Sequence, residues 1–303
     1  MRARTICVLG GTGFVGRAIV ERLVEPGRRI RIPSRVSARH REMLVLPGVV
    51  VLDGDVHEPE FLRGVFDGAD VVINLIGILN ERGDDGRGFN RVHAELPGKI
   101  AAACRAAGVA RLLHMSALHA SASAPSHYLR SKAAGEEAAH TAAPEVRVTS
   151  FRPSVIFGPG DSFTNRFAQL LRIAPGVFPL ACPDARFQPV YVQDVASVFV
   201  SAIGAYRTFG KRYDLCGPTA YRLRDIVAYL ARLQRRRVYI FGLNDRLSRL
   251  QAAVFEHVPG KPFSRDNYRS LSVDATCRSD TLRSVFGIDP TPLERIVPEY
   301  LSR

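Results

Sequence analysis

Short apolar runs alternate with amphipathic stretches through the first half of the chain. Apolar positions recur at helical spacing after the first run, at Val15, Ile19, Val20 and Leu23. The same reading applied onwards predicts, in chain order, strand Thr5–Leu9, helix Gly13–Val24, strands Arg29–Ile32, Val49–Leu52 and Val71–Leu75, helix Asn90–Ala107, strand Arg111–Met115, helix Tyr128–His140 and strand Val146–Phe151. Strands that alternate with helices are typical of an α/β protein with a Rossmann-type, doubly wound parallel sheet.

The distal half has a looser pattern. After Arg152-Pro153 the chain holds a helical stretch around Asn165–Arg172 among many prolines and glycines. We therefore predict a Rossmann domain at residues 1–155, to which the chain returns at about 186–218, and a small, partly interleaved C-terminal subdomain that occupies most of 156–303.

A glycine-rich turn follows the first predicted strand, at Gly10-Gly11-Thr12-Gly13-Phe14-Val15-Gly16. Gly10 permits the sharp turn, Gly13 lets the backbone approach a pyrophosphate, and Gly16 allows the helix to pack closely on the strand. The helix N-terminus then offers free N–H groups to the phosphates. Strand, spacing and helix agree, so the sequence predicts a dinucleotide site.

The residues after the second strand favour NADP(H) over NAD(H). An NAD site places an acid there for the ribose 2′-hydroxyl, whereas this chain has Pro33-Ser34-Arg35, and six arginines but no acid between Arg28 and Arg41. A guanidinium suits the 2′-phosphate of NADP. The predicted cofactor contacts are Gly10, Thr12, Gly13, Phe14, Val15, Gly16, Ser34, Arg35, Arg39, Asp55, Val56, Leu75, Ile76, Gly77, Tyr128, Lys132 and Pro153.

Tyr128 and Lys132 lie one helical turn apart on the same face of a predicted helix. A nearby ammonium favours the phenolate, so we expect Lys132 to lower the pKa of Tyr128 and to equip it for proton transfer. The same lysine can hold the hydroxyls of the nicotinamide ribose. The alternative is an exposed Tyr and Lys on an ordinary amphipathic helix.

These residues resemble the extended or atypical short-chain dehydrogenase/reductases, and among them the family of respiratory complex I alpha-subcomplex subunit 9 with its bacterial relatives. The similarity lies in the glycine turn, Tyr128-Leu129-Arg130-Ser131-Lys132, Ile156-Phe157-Gly158-Pro159-Gly160-Asp161 and Gln188-Pro189-Val190-Tyr191-Val192. The resemblance implies Tyr128 as acid/base and Lys132 as its partner. Active members also carry a Ser or Thr after strand five, and here that position is Ala117. A one-residue shift would make Ser116 the third catalytic residue.

Charge and cysteine content restrict the class further. The 303 residues hold 42 Lys and Arg against 29 Asp and Glu, and the excess is concentrated beyond Tyr206. Basic runs interleaved with aromatics are missing, which disfavours nucleic acid as a partner. The five cysteines are scattered, so we expect neither a metal site nor a disulfide framework, and an odd number of thiols fits a reducing cytoplasm.

In the distal third, apolar residues recur at helical spacing beside Arg246 and Arg249, at Leu247, Leu250, Val254, Phe255 and Val258. The stretch reads either as a docking patch for an anionic membrane or a quinone-linked complex, or as a helix with its apolar face in the core, and the second reading is favoured. No apolar run is long enough to span a bilayer, and no signal peptide precedes the first strand. We expect a cytoplasmic protein, peripheral on the inner membrane face if the patch docks there.

Two functions follow. In the first, the protein binds NADP(H) as an accessory, assembly or redox-sensing component linked to quinone respiration or ubiquinone biosynthesis. In the second, it is an NADPH-dependent oxidoreductase or epimerase that acts on a small carbonyl or hydroxyl substrate, with Tyr128, Lys132 and Ser116 as catalytic residues.

Overall fold

The computed structural model describes residues 3–259 and 261–301. Its strands are β1 Thr5–Leu9, β2 Arg29–Ser34, β3 Val49–Asp53, β4 Val71–Asn74, β5 Arg111–Met115, β6 Arg147–Pro153, β7 Ile156–Phe157, β8 Val177–Leu180, β9 Arg186–Phe187, β10 Val190–Tyr191, β11 Arg212–Leu215, β12 Tyr221–Arg222 and β13 Tyr239–Gly242. Seven of these form one sheet in the order β11-β6-β5-β4-β1-β2-β3, and all its pairs are parallel.

The helices are α1 Phe14–Leu23, α2 Pro59–Phe66, α3 Arg87–Asn90, α4 Leu96–Ala106, α5 His127–His140, α6 Thr164–Ile173, α7 Val192–Ala202, α8 Leu223–Leu233, α9 Asp245–Phe255, α10 Arg265–Leu271, α11 Thr281–Phe286 and α12 Leu293–Leu301. A π-helical segment, Arg91–Glu95, joins α3 to α4. The predicted helix Asn90–Ala107 is therefore part of a longer helical run that begins at Arg87.

The predicted Rossmann-type doubly wound sheet is confirmed. The strand order reverses direction between β1 and β4, and ligands of such sheets bind at that point, beyond the carboxyl ends of the strands. One face of the sheet packs on α1 and α7 through residues such as Ile19 and Phe199. The opposite face packs on α2, α4 and α5 through residues such as Phe66 and Ile100.

A third core lies in the distal part of the chain. Leu171 of α6, Val227 of α8 and Val297 of α12 belong to it, and Leu180 of β8 packs with them. The chain returns to the main sheet in between, because α7 packs beside α1 and β11 pairs with β6. The domain boundaries themselves stay a prediction.

The expectation that the cysteines form no disulfide is wrong. Cys216 and Cys277 are bonded across 61 positions of sequence. The side-chain amide of Gln188 explains the approach, since it donates to the carbonyl of Gly217 (2.7 Å) and accepts from the N–H of Cys277 (2.9 Å). Spacing along the chain gave no sign of this pairing, because two loops that meet only in the fold carry the partners.

The favoured reading of α9 is also wrong. Its buried side is formed by Ser248 and Ala252, whereas Leu247, Leu250 and Val254 are exposed. Helical periodicity identified the apolar face correctly but could not show on which side the neighbouring elements lie. Among the described residues, no helix is both long enough and apolar enough to span a bilayer.

Candidate active site

The turn between β1 and α1 depends on its glycines. Gly10 adopts a φ of +78°, in the left-handed region. A Cβ at Gly16 would lie 2.2 Å from the carbonyl oxygen of Gly10, and one at Gly13 would lie 3.3 Å from the same atom. The turn is therefore closed tightly on itself, and α1 begins at Phe14 with Gly13 as its N-cap. Its first N–H groups point out of the sheet edge at the reversal of strand order, which is where a pyrophosphate binds.

The segment Leu75–Gly77, directly after β4, connects this turn to Lys132. At one end, a Cβ on Gly10 would meet the backbone N of Ile76 at 3.3 Å. At the other end, a Cβ on Gly77 would lie 3.1 Å from Nζ of Lys132. The structure thus brings the glycine turn, Leu75–Gly77 and Lys132 together along one edge of the sheet.

A cavity of about 620 Å³ lies beside the end of β2. Arg35 lines it together with Asp55 and His57, and Arg82, Arg87 and Arg91 line it too. Ser34, the last residue of β2, pairs in register with Asp53. The Asp53 carboxylate accepts from the N–H and hydroxyl of Ser37, both at 2.6 Å. Of the residues predicted to contact the 2′-phosphate, Arg35 lines this cavity, whereas Ser34 and Arg39 do not.

The arginine cluster is not a single anion site. Arg28 donates to the carbonyls of Ala3 and Leu23, and Arg31 donates to those of Val65 and Asp67. These two side chains stabilise the backbone around β2. Arg39 is exposed and does not line the cavity. Only part of the cluster is thus available to a phosphate.

The remaining predicted cofactor contacts lie around the same edge. Asp55 accepts from the N–H of His57 at 2.9 Å, and Val56 packs at the rim of the core below. Phe14 and Val15 pack against the core on the opposite face of the sheet.

The last two predicted contacts are Thr12 and Pro153. The carbonyl of Thr12 accepts a hydrogen bond from Arg17 (2.9 Å). Pro153 ends β6 and lines a second cavity. The roles of these residues stay a prediction.

Tyr128 and Lys132 lie in the first turns of α5. Burial raises the pKa of Tyr128 to about 12, so the expected lowering by Lys132 does not occur. Lys132 is buried, and its Nζ donates to the carbonyl of Met115 at 3.2 Å. Burial lowers the pKa of Lys132 to about 8. In this arrangement the phenol keeps its proton at neutral pH, because desolvation penalises the phenolate.

Ser116 and Ala117 face different surroundings. Ala117 lines the second cavity together with Tyr128. The hydroxyl of Ser116 is buried beside the carboxylate of Glu136. Burial acts to raise the pKa of Glu136, but hydrogen bonds from Arg152 and the charges of Arg152 and Arg212 outweigh it and leave that pKa below its usual value. Among the described residues, the buried Ser116 hydroxyl has no hydrogen-bond partner. The position beside Tyr128 therefore carries a methyl group and no hydroxyl.

His93 is a site residue that the sequence reading missed. Its Nε2 accepts from the N–H of Ile78 (2.9 Å), and its Nδ1 lies 3.0 Å from Oγ of Ser131. The ring packs edge-on against Tyr128 with centroids 5.4 Å apart. Burial, followed by the charges of Lys132 and His114, lowers the pKa of His93 to about 2, so the ring is neutral. A lone histidine within a helical pattern gave no signal of this position.

Asp266 was missed as well. Its carboxylate accepts from the backbone N–H groups of His127 (2.6 Å) and Tyr128 (3.0 Å), and it is buried. An acid from α10 therefore caps the N-terminus of the helix that carries Tyr128 and Lys132. Asp266 lies 139 positions beyond His127, so local sequence could not reveal the contact.

Within the described part of the chain, one group of metal-ligating side chains has its ligand atoms close enough together to hold a metal ion. It consists of Asp84, His127 and Asp266. Arg269 already binds Asp84 through two hydrogen bonds of 2.7 and 2.9 Å. We assign no metal there, and the expectation that the protein uses none stays a prediction.

The residues at the sheet edge fit a dinucleotide. The turn admits no Cβ at Gly16, the helix N-terminus provides N–H donors, and Arg35 faces a cavity on the adenosine side of the strand-order reversal. When bound, such a cofactor supplies a hydride at its nicotinamide ring.

Comparison with known proteins identifies the family of the chain. The sequence profile of the NAD dependent epimerase/dehydratase family matches residues 6–216. The chain belongs to this family. The epimerase/dehydratase family includes extended short-chain dehydrogenase/reductases, so the resemblance drawn from the glycine turn and the Tyr128–Lys132 pair is confirmed.

Two curated proteins illustrate the relatives of this chain. NADH dehydrogenase [ubiquinone] 1 alpha subcomplex subunit 9 of Mus musculus is 33% identical over 305 residues, which cover 98% of this chain and 79% of that protein. The ceramide reductase of Caulobacter vibrioides is 36% identical over 196 residues, which cover 65% of this chain and 60% of the relative.

Solved structures share the fold across nearly the whole chain. The NADPH-dependent quinone oxidoreductase QOR2 of Escherichia coli, complexed with NADPH, has a TM-score of 0.77 at 19% identity and covers 98% of this chain and 100% of its own. MoeE5 in complex with UDP-glucuronic acid and NAD has a TM-score of 0.74 at 19% identity, with coverage of 98% and 97%. These similarities show that the chain shares the fold of these two proteins.

Proposed function

We propose that the protein binds NADP(H) and serves as an accessory or redox-sensing component linked to quinone respiration, with little or no turnover of its own. The observation that carries the proposal is Ala117. A hydroxyl at this position would polarise a substrate carbonyl beside Tyr128, and a methyl group cannot donate a hydrogen bond.

The protonation of Tyr128 supports the same conclusion. With a pKa raised to about 12, the phenol is a poor general base at neutral pH and a weaker acid than an ordinary tyrosine. Lys132 is engaged by the Met115 carbonyl, and Ser116 lies beside Glu136. The chain's own residues can orient a nicotinamide ribose through Lys132, but they are poorly arranged to move a proton at a substrate.

The choice of NADP(H) over NAD(H) rests on Arg35. It lines the cavity next to β2, and Ser34 and Arg35 occupy the position where an NAD site has an acid. Arg82 and Arg91 line the same cavity and add positive charge to it, whereas Arg87, which also lines it, is paired with Asp85.

The link to quinone respiration and to the inner membrane face comes from the relatives. A subunit of NADH dehydrogenase [ubiquinone] matches 98% of this chain at 33% identity. We propose that this protein is likewise held at a respiratory complex, as a peripheral component.

The test is purification without added nucleotide, followed by identification of what the protein retains. The expected result is NADPH at a substantial fraction of the protein, with no consumption when short-chain quinones or small carbonyl compounds are added. Tyr128→Phe is the comparison variant, because it removes the phenol hydroxyl and leaves the glycine turn and Lys132 in place. NADPH consumption that Tyr128→Phe abolishes would overturn the accessory role.

One observation favours a second candidate, an NADPH-dependent reductase of an apolar carbonyl compound. The cavity above Tyr128 is lined mainly by apolar side chains, and a ceramide reductase is 36% identical over 196 residues. Tyr128 would then donate the proton, Lys132 would orient the cofactor, and Ser116 would have to turn towards the cavity. Long-chain ketones added in the same assay separate the two functions, since only the second predicts consumption.

A further inference from the structure

The cavity above Tyr128 has a volume of about 600 Å³. This is within the usual range of ligand cavities, ~300–1,000 Å³. Its inner end is formed by Ala117 and Tyr128, and its walls include Phe167 and Leu170 of α6 and Phe255 of α9. Polar residues such as Asn80, Arg166 and Asn267 also line the cavity, but apolar residues outnumber them. Such a lining fits a flexible apolar chain and offers little to a sugar or another polar substrate.

The outer end of the cavity reaches the surface among exposed apolar side chains. Ile173 at the end of α6 and Val177 in β8 both line the cavity, yet their side chains are 78% and 53% exposed. Val177 pairs in register with Tyr239 of β13, which is 71% exposed, and Phe241 points to the same side two residues on. Large apolar residues grouped in this way are typical of an interaction site.

The exposed face of α9 extends this surface. Leu250 and Val254 are 59% and 54% exposed, and each is followed by a residue that lines the cavity, Gln251 and Phe255. The amide of Gln251 donates to the carbonyl of Pro179 in β8 at 3.0 Å, which fixes α9 against the cavity mouth. We call Ile173, Val177, Tyr239, Phe241, Leu250 and Val254 the apolar collar.

Arginines surround the apolar collar. Arg172 precedes Ile173, and the run Arg235-Arg236-Arg237 precedes Tyr239. Arg236 donates to the carbonyl of Ala174 at 3.2 Å, so the run lies at the mouth of the cavity. Within residues 3–259 and 261–301, none of these four arginines forms a salt bridge.

We propose that the apolar collar docks on an anionic lipid bilayer and that the cavity takes up an apolar chain from it. The inference deepens the proposed function and rests on it only for the location of the protein at a membrane. Apolar side chains bury in the acyl region while arginines bind the lipid phosphates. A second copy of the chain is a poor occupant, because a symmetric contact would place arginines against arginines.

Docking is tested by co-sedimentation with vesicles of phosphatidylglycerol and phosphatidylcholine at low salt. The wild type should bind the mixed vesicles and not pure phosphatidylcholine. Leu250→Asp/Val254→Asp, and separately Arg172→Glu/Arg237→Glu, should each weaken binding by about tenfold or more. Val45→Asp is the matched control, because Val45 is 80% exposed and lies between β2 and β3, away from the collar. Its binding should equal that of the wild type.

Two results overturn the docking proposal. One is equal vesicle binding by the wild type and both collar variants, or none by any of them. The other is a concentration-dependent dimer that the collar variants abolish without any affinity for vesicles, which would assign the collar to a second copy. Melting temperature and NADPH affinity confirm that each variant is folded.

Uptake of a chain is tested with a long-chain polyene fatty acid whose fluorescence rises in apolar surroundings. The wild type should bind it saturably, and Leu170→Trp, which fills the cavity from α6, should reduce the affinity about tenfold. Unchanged binding in Leu170→Trp would overturn the cavity assignment. Neither assay measures NADPH consumption, so the results do not depend on whether the protein oxidises its bound nucleotide.

Discussion

Replacing Asp266 by Asn should weaken the helix that carries Tyr128 and Lys132. The native carboxylate accepts from two consecutive N–H groups, at His127 and Tyr128, and it does so almost completely buried. An amide keeps one acceptor oxygen but turns an NH₂ group towards the other N–H. One hydrogen bond to a charged acceptor is lost, and one buried donor is left unsatisfied.

The size of the effect follows from these contacts. A hydrogen bond to a charged group contributes ~1.5–3 kcal/mol, and the favourable interaction of the carboxylate with the helix N-terminus adds ~0.3–1 kcal/mol. Arg269 keeps its two hydrogen bonds to Asp84, so it is not left without a partner. We expect Asp266→Asn to lower the free energy of unfolding by about 2–3 kcal/mol.

Urea unfolding measures this loss, and NADPH titration measures its consequence for the site. Asp280→Asn is the matched control: Asp280 caps α11 through the N–H of Arg283, but its side chain is 43% exposed. That variant should lose at most about 1 kcal/mol and keep its NADPH affinity. Asp266→Asn should bind NADPH more weakly, because Lys132 lies one turn along the loosened helix. Equal losses of stability in the two variants, with NADPH affinity unchanged in both, would refute the reasoning.

Three further predictions concern the cofactor, the missing hydroxyl and acid stability. Arg35→Ala should lower the affinity for NADPH about tenfold or more and leave that for NADH unchanged, as measured by calorimetry; equal losses for both nucleotides would contradict the 2′-phosphate assignment. Ala117→Ser should raise NADPH consumption with carbonyl substrates by about tenfold or more, and an unchanged rate would show that the hydroxyl is not what limits turnover. Acid should destabilise the fold, because the folded pKa values of His93 and His114 are about 2 and 3, whereas both residues take up protons below pH ~6.5 in the unfolded chain. Each histidine should therefore lower the free energy of unfolding by about 2 kcal/mol between pH ~7 and ~5. A urea midpoint that does not fall over this interval would contradict the burial of both rings.

The strands of the first half were predictable because they are buried apolar runs that end at glycine or polar residues. Thr5–Leu9 and Arg111–Met115 match the structure at both ends, and β2 extends only two residues beyond the predicted Ile32. A parallel sheet covered on both faces makes such runs nearly continuous in sequence, which is why they could be recognised without knowing their partners.

What local sequence could not provide was the environment of a side chain. Spacing placed Tyr128 and Lys132 on one helix face, but it predicted a lowered tyrosine pKa where burial raises it to about 12. The cap of α5 comes from Asp266 in a distant helix, and the disulfide partner of Cys216 comes from a distant loop. These features depend on which segments meet in the fold.

The same limit applies to surfaces. Leu250 and Val254 form an apolar stripe by periodicity, and periodicity alone favoured a buried one. The structure leaves the stripe exposed because Ser248 and Ala252 form the buried side of α9, and the Ser248 hydroxyl accepts from the N–H of Cys182, just after β8, at 3.2 Å.

We propose that the protein holds NADP(H) at a site unable to use it efficiently. A single-turnover measurement tests this directly: protein loaded with NADPH is mixed with a short-chain quinone, and separately with a long-chain ketone, while the absorbance of the reduced nicotinamide is followed. NADPH should stay bound and reduced in both mixtures. Rapid oxidation in either one, slowed in Tyr128→Phe, would contradict the proposal.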